Sequence, residues 1–169
     1  MQETSGELAE IYIAATCGAP MQAVTSVQTI AERGLEGDRY AAGKGTFSNR
    51  FEVAPGARAL SLIDAASVAL CAERLQCSIN PALLRRNVLV NGLDLMALRG
   101  WTLHVGDVRI ELVGSCPPCR YLARLLDRDV RAGLRGIGGM RARIVSGGLL
   151  TQGQRMTAVK DRRRTTESI

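Results

Sequence analysis

The sequence is poor in aromatic residues, with one Trp, three Tyr and two Phe, 4% of the chain. Platforms that stack nucleic-acid bases need such side chains, so the scarcity argues against nucleic acid as a partner. It also leaves the interior to be built from Leu, Val, Ile and Ala. Histidine occurs once, as His104, and a structural zinc site needs four Cys or His ligands at paired spacing. No apolar run approaches the ~20 residues that cross a bilayer, so no membrane partner is expected. No internal repeat or low-complexity tract is present. The opening MQETSGELAE is acidic and polar, unlike a secretory signal. Without such a signal, the five cysteines do not form a disulfide framework, and a reducing, cytoplasmic setting is expected.

What is present fits one packed domain. The chain has 169 residues, 46% of them hydrophobic, enough for a single core. The expected division is a domain over 1–160 and a polar, basic, frayed tail over 161–169. Net charge is +6. The terminal KDRRRTTESI carries four basic and two acidic residues, or +2. The remaining +4 sits in the body and suits an anionic ligand.

Period-two patterns dominate. LAEIYIAA (8–15) and MQAVTSVQTI (21–30) read as strands joined by the turn TCGAP. Residues 34–56 carry five glycines and read as a long surface loop. A strand over 59–63 leads to Asp64, which can cap a helix over AASVALCAERL. That helix and its end carry Cys71 and Cys77, expected as small buried side chains. Pro81 opens a short helical turn. Residues 88–92 are strand and turn, and 101–114 form a hairpin about Gly106-Asp107. RYLARLLDRDV is helical, and MRARIVSGG with LLTQGQRMTAV supplies a final pair of strands. Many short strands with few helices predict a mainly β fold, a twisted or closed barrel with short peripheral helices.

The chemistry concentrates in GSCPPCRYL (114–122). Three readings compete: a redox dithiol, half of a zinc site, and a single thiolate ligand for a cofactor metal. A thioredoxin-like dithiol belongs in a parallel-sheet βαβ unit, which the strand pattern lacks. The other cysteines lack zinc spacing. Two prolines stiffen the exit from the strand and deliver Cys119 to a helix start, where backbone N–H groups favour a thiolate.

Six stretches, in order, resemble the MOSC domain family: GLEGDRY (34–40), GTFS (45–48), LSLID (60–64), LRRNVLVNGLDL (84–95), VGDVRIELVGSCPPCRYL (105–122) and GIGGMRARIVSGGLLTQGQRM (136–156). The resemblance implies a β-barrel that binds molybdenum cofactor, an anionic molybdopterin. By the same resemblance Cys119 is the metal ligand, while Arg39, Arg85 and Asn87 hold the cofactor. Asp38 is then an orienting partner for Arg39. The implied activity is reduction of small N-hydroxylated compounds, with electrons from a separate reductase. The alternative is a sulfur or cofactor carrier working with cofactor-biosynthesis proteins through a Cys119 persulfide or transient cofactor binding. The chain departs from the family in three places. Tyr40 follows Gly-Asp-Arg where many members have histidine, and Gly153-Gln154 replaces a Gly-Asp. The first strand also lacks a Lys-Ser pair, for which Thr16 is the candidate stand-in.

Overall fold

Alternation along the strands decides which side chains meet. In the computed structural model, which describes residues 2–46, 48, 54–126 and 129–161, eleven strands and three α-helices are assigned. In chain order they are β1 (Glu3–Ile13), β2 (Gln22–Val24), β3 (Ser26–Ile30), β4 (Gly34–Leu35), β5 (Leu60–Asp64), α1 (Ala65–Leu75) and β6 (Val88–Asn91). Then come β7 (Thr102–Val105), β8 (Val108–Ser115), α2 (Arg120–Leu126), α3 (Val130–Gly133), β9 (Met140–Ser146), β10 (Gly148–Thr151) and β11 (Arg155–Val159).

Seven of these strands close on themselves in the order β11-β7-β8-β9-β5-β6-β1, with β1 pairing back onto β11. All neighbours are antiparallel except β5 and β6, which run parallel with α1 between them in the chain. Closure leaves those strands without a free edge. β2 hangs on β1 outside the ring, and β10-β3-β4 form a separate small sheet. The expected mainly β barrel with short helices is what the chain forms.

The inward positions make the core. On β8, Val108, Ile110, Leu112 and Gly114 are buried while Arg109, Glu111 and Val113 are half-exposed. Leu8, Leu62, Val90, Leu103 and Met156 join them inside the ring. A second cluster fills the space between barrel and helices, with Ile63, Val68, Cys71, Leu122 and Leu134. Each fully buried Leu, Ile or Val of this kind stabilises by roughly 1.5–3 kcal/mol. Asp64 caps α1 by accepting from the Ser67 N–H at 2.8 Å. Cys71 is fully buried, and burial pushes its thiol up from the ordinary value. Cys77 is half-buried. No helix among the described residues is long and apolar enough to cross a membrane.

Three expectations need correction. Residues 21–30 form two strands, because the chain breaks at Thr25 and passes from the barrel (β2) to the small sheet (β3). The final pair of strands is three, β9, β10 and β11, and the first strand begins at Glu3. The loop over 34–56 is partly internal, since Leu35, Asp38 and Arg39 are all buried. Residues 47 and 49–53 of that loop, and 162–169 of the expected tail, lie outside the described residues.

Candidate functional site

One end of the barrel gathers the residues on which the sequence put the chemistry. Ser115 at the end of β8 pairs with Met140 at the start of β9, and Arg141 pairs with Ser61 on β5. Residues 85–87 enter β6 beside them. Together with α2 these elements enclose a cavity of about 330 Å³, a size typical of small-molecule sites. Arg39, Arg85, Asn87, Cys116 and Cys119 all line it, and so do Arg58, Arg86, Arg141, Tyr40, Thr46 and Tyr121. Five of the lining residues are arginine and, among the described residues, none is Asp or Glu.

The cysteine turn is held by its backbone. The Cys116 N–H donates to the Gly139 carbonyl at 2.8 Å. The Cys116 carbonyl accepts from Arg86 Nη2 at 2.7 Å, and Arg86 Nε reaches the Gly138 carbonyl at 2.9 Å. Gly138 is required here, because a Cβ on it would stand 2.5 Å from the Cys116 carbonyl oxygen. Cys119 immediately precedes α2 and is half-buried, packed against the second apolar cluster. The thiol is thus presented to the cavity by a turn clamped from two sides.

The arginines differ in how their charge is met. Asp38 Oδ1 accepts from Arg39 Nη1 at 3.0 Å and from the Ala14 N–H at 3.0 Å. Asp38 Oδ2 takes the Tyr40 N–H, so Asp38 orients Arg39 and the loop. The pair is buried and neutral overall. Arg86 is 8% exposed, yet among the described residues its guanidinium meets only the carbonyls of Leu84, Cys116 and Gly138. Arg85 follows the turn Pro81–Leu84 in a left-handed conformation, φ 60°. Its Nη1 donates to the Ala19 carbonyl at 2.6 Å, and its buried Nη2 has no hydrogen-bond partner among the described residues. Burial and then the neighbouring Arg39 push Arg85 below the ordinary arginine value. A buried cation met by carbonyls, as Arg86 is among the described residues, leaves positive charge that an anion can balance.

Asn87 lines the cavity, but its amide is already committed. Nδ2 donates to the Tyr12 carbonyl at 3.1 Å, and Oδ1 accepts from the Ser61 N–H and hydroxyl at 3.3 and 3.2 Å. It pins β1 to β5. Thr16 lies on the exposed turn after β1 and is not part of the cavity lining.

Its neighbour Cys17 reaches the rim instead. Cys17 Sγ lies 3.0 Å from Thr46 Oγ1 and 3.7 Å from the Tyr121 hydroxyl. Hydrogen bonding with Thr46, then with Tyr121, lowers its pKa against an opposing effect of burial. Arg85 and Arg39 lower it further. Sequence reasoning assigned no role to Cys17 or Tyr121. The partners of Cys17 are 29 and 104 residues away in the chain, and no local pattern carries that.

A MOSC domain model matches residues 31–157. The chain belongs to the MOSC domain family. This places it among domains associated with molybdenum-cofactor binding or sulfur transfer. No curated protein matches the sequence. The YuaD protein from Bacillus subtilis superposes with a TM-score of 0.79 at 18% identity, over 93% of this chain and 97% of that one. YiiM from Escherichia coli gives 0.67 at 18% identity, over 94% of this chain and 71% of that one. YiiM from Geobacillus stearothermophilus gives 0.70 at 14%, over 92% and 75%. Likeness at such identities establishes the shared fold, on which this chain sets its own residues.

Proposed function

We propose that this protein binds molybdenum cofactor with Cys119 as the thiolate ligand of the metal, and that it reduces small N-hydroxylated compounds. The observation that carries the reading is the pairing of the Cys119 thiol with an arginine-lined, acid-free cavity among the described residues. The residues fit the group. A soft sulfur donor suits a thiophilic metal. Among the described residues Arg85 Nη2 has no hydrogen-bond partner and Arg86 no carboxylate, which suits them to phosphate and pterin oxygens.

When bound, the cofactor supplies two-electron oxygen-atom chemistry. The chain's own residues do the rest. Arg85 and Arg86 neutralise the anion, while Asp38 keeps Arg39 directed by holding its Nη1. Arg86 and Gly138 fix the turn that carries the thiols. Tyr40 and Tyr121 form aromatic parts of the lining. Electrons come from a separate reductase.

Thiols placed in and beside one basic cavity also favour a second reading, a sulfur or cofactor carrier using Cys119. Metal analysis of protein purified from cofactor-producing cells separates the two. About one molybdenum per chain, with turnover of an amidoxime, supports the enzyme. Metal-free protein with labile sulfur on Cys119 supports the carrier.

A further inference from the structure

Arg141 lines the same cavity as Cys119 and has no part in the function proposed above. Two paired strands put it there. Leu112 on β8 faces Ala142 on β9, so an unbroken register would set Val113 opposite Arg141. A register shift between Leu112 and Gly114 sets Gly114 there instead. Shifts of this kind re-aim side chains beside functional sites. Gly114 leaves room for the guanidinium, since a Cβ on it would stand 3.3 Å from Arg141 Nη2. Arg141 Nε donates to the Ser115 carbonyl at 3.2 Å, and Arg86 Nη2 holds the next carbonyl, that of Cys116. Arg141 is thereby anchored at the entry to the cysteine turn. Among the described residues no carboxylate pairs with it, and no Asp or Glu lines the cavity.

We propose that Arg141 determines substrate specificity, and that the compound reduced at this site carries a carboxylate besides its N-hydroxylated group. The inference rests on the cofactor reading above. Of the five lining arginines, Arg39 is met by Asp38 and Arg58 has an interaction of its own. Arg85 and Arg86 serve the cofactor anion in that reading. Arg141 is the remaining cation among the described lining residues. With Nε on Ser115, its Nη1–Nη2 edge offers two parallel donors, which match the two oxygens of one carboxylate. One guanidinium also balances one carboxylate in charge, whereas a phosphate dianion needs a second cation. Because Arg141 is tied to the residue before Cys116, a carboxylate held by it fixes the substrate relative to the cysteine turn. The contact therefore orients as well as binds. A neutral compound of the same shape lacks it.

The test compares benzamidoxime with para-carboxybenzamidoxime, which differ only in the carboxylate. Turnover is measured on the full chain from cofactor-producing cells, with chemically reduced methyl viologen as the electron source. The carboxylated compound is expected to have the higher kcat/KM, by on the order of 10-fold and mostly through KM. Arg141→Gln brings the ratio to about one, Arg141→Lys retains part of it, and Arg141→Glu turns it below one. Arg155→Gln, on β11 and outside the cavity lining, keeps the parent's ratio. A parent ratio of about one overturns the proposal. So does a preference that survives Arg141→Gln in a variant with the parent's melting temperature. Calorimetry of the two compounds on the same protein gives a second readout that needs no turnover. If no molybdenum is found, or neither amidoxime is reduced, the cofactor reading fails. The role of Arg141 is then decided by binding: tighter binding of the carboxylated compound, lost in Arg141→Gln, upholds it, and equal binding of the two compounds overturns it.

Discussion

Replacing Asn87 by alanine separates a cofactor contact from a structural pin, and its size follows from the geometry. The side chain makes hydrogen bonds from Nδ2 to the Tyr12 carbonyl and to Oδ1 from the Ser61 N–H and hydroxyl. Backbone bonds of Asn87 to Tyr12 and Ser61 survive the substitution, and the Ser61 hydroxyl keeps the Asn87 N–H. Two groups therefore lose their side-chain partner, the Tyr12 carbonyl and the Ser61 amide, at a residue 1% exposed. A buried group left without a partner costs about 1–3 kcal/mol, and some relaxation puts the pair at about 2–4 kcal/mol. That is a large share of the ~5–15 kcal/mol that holds a domain folded. For a domain of this length it lowers Tm by roughly 5–15 °C.

The assay is equilibrium urea unfolding of cofactor-free protein, where the midpoint falls while the slope stays the same. Asn87→Asp keeps an acceptor for Ser61 but sets a carboxylate against the Tyr12 carbonyl, so it is expected to be at least as unstable. If Asn87→Ala unfolds within about 0.5 kcal/mol of the parent, as an innocuous surface change does, the pin is refuted. A selective loss of cofactor at unchanged stability would instead make Asn87 a direct contact.

Arg85→Ala is expected to lower molybdopterin occupancy on the order of 10–100-fold in a cofactor-limited titration; the fold stays intact, since alanine at φ 60° is no more strained than arginine. Cys119→Ser abolishes molybdenum retention while Cys116→Ser keeps it, as metal analysis will show; the reverse pattern moves the ligand to Cys116. Gly138→Ala drives a Cβ into the Cys116 carbonyl at 2.5 Å, so occupancy falls together with about 1–3 kcal/mol of stability; unchanged occupancy would show that the turn is not held there. His104 has a lowered pKa, from burial first and Arg109 second, so folding favours its neutral form. Its contribution is present above the ordinary 6.5 and is lost as pH falls through the lower folded value. The Tm difference between the parent and His104→Gln therefore shrinks between about pH 7.5 and about pH 5.5, and a constant difference refutes the linkage.

Local signals were legible where one residue decides local geometry. Asp64 before an apolar helical face names its own cap, and Gly106-Asp107 between alternating arms names its hairpin. The start of β1 was hidden because Gly6 reads as a breaker. In the barrel it is a close-packing glycine, since a Cβ there would stand 2.2 Å from the Asn91 carbonyl oxygen. The break at Thr25 was hidden for the opposite reason. Thr is a good strand residue, and the change of sheet depends on where β1 and β10 lie. At the site, the family motifs located Arg39, Arg85, Asn87 and Cys119 on one cavity. They did not distinguish the roles of neighbouring letters. Arg85 and Arg86 are adjacent and identical, but only Arg85 sits in a left-handed turn. That difference turns one guanidinium towards Ala19 and leaves the other to clamp Cys116 and Gly138.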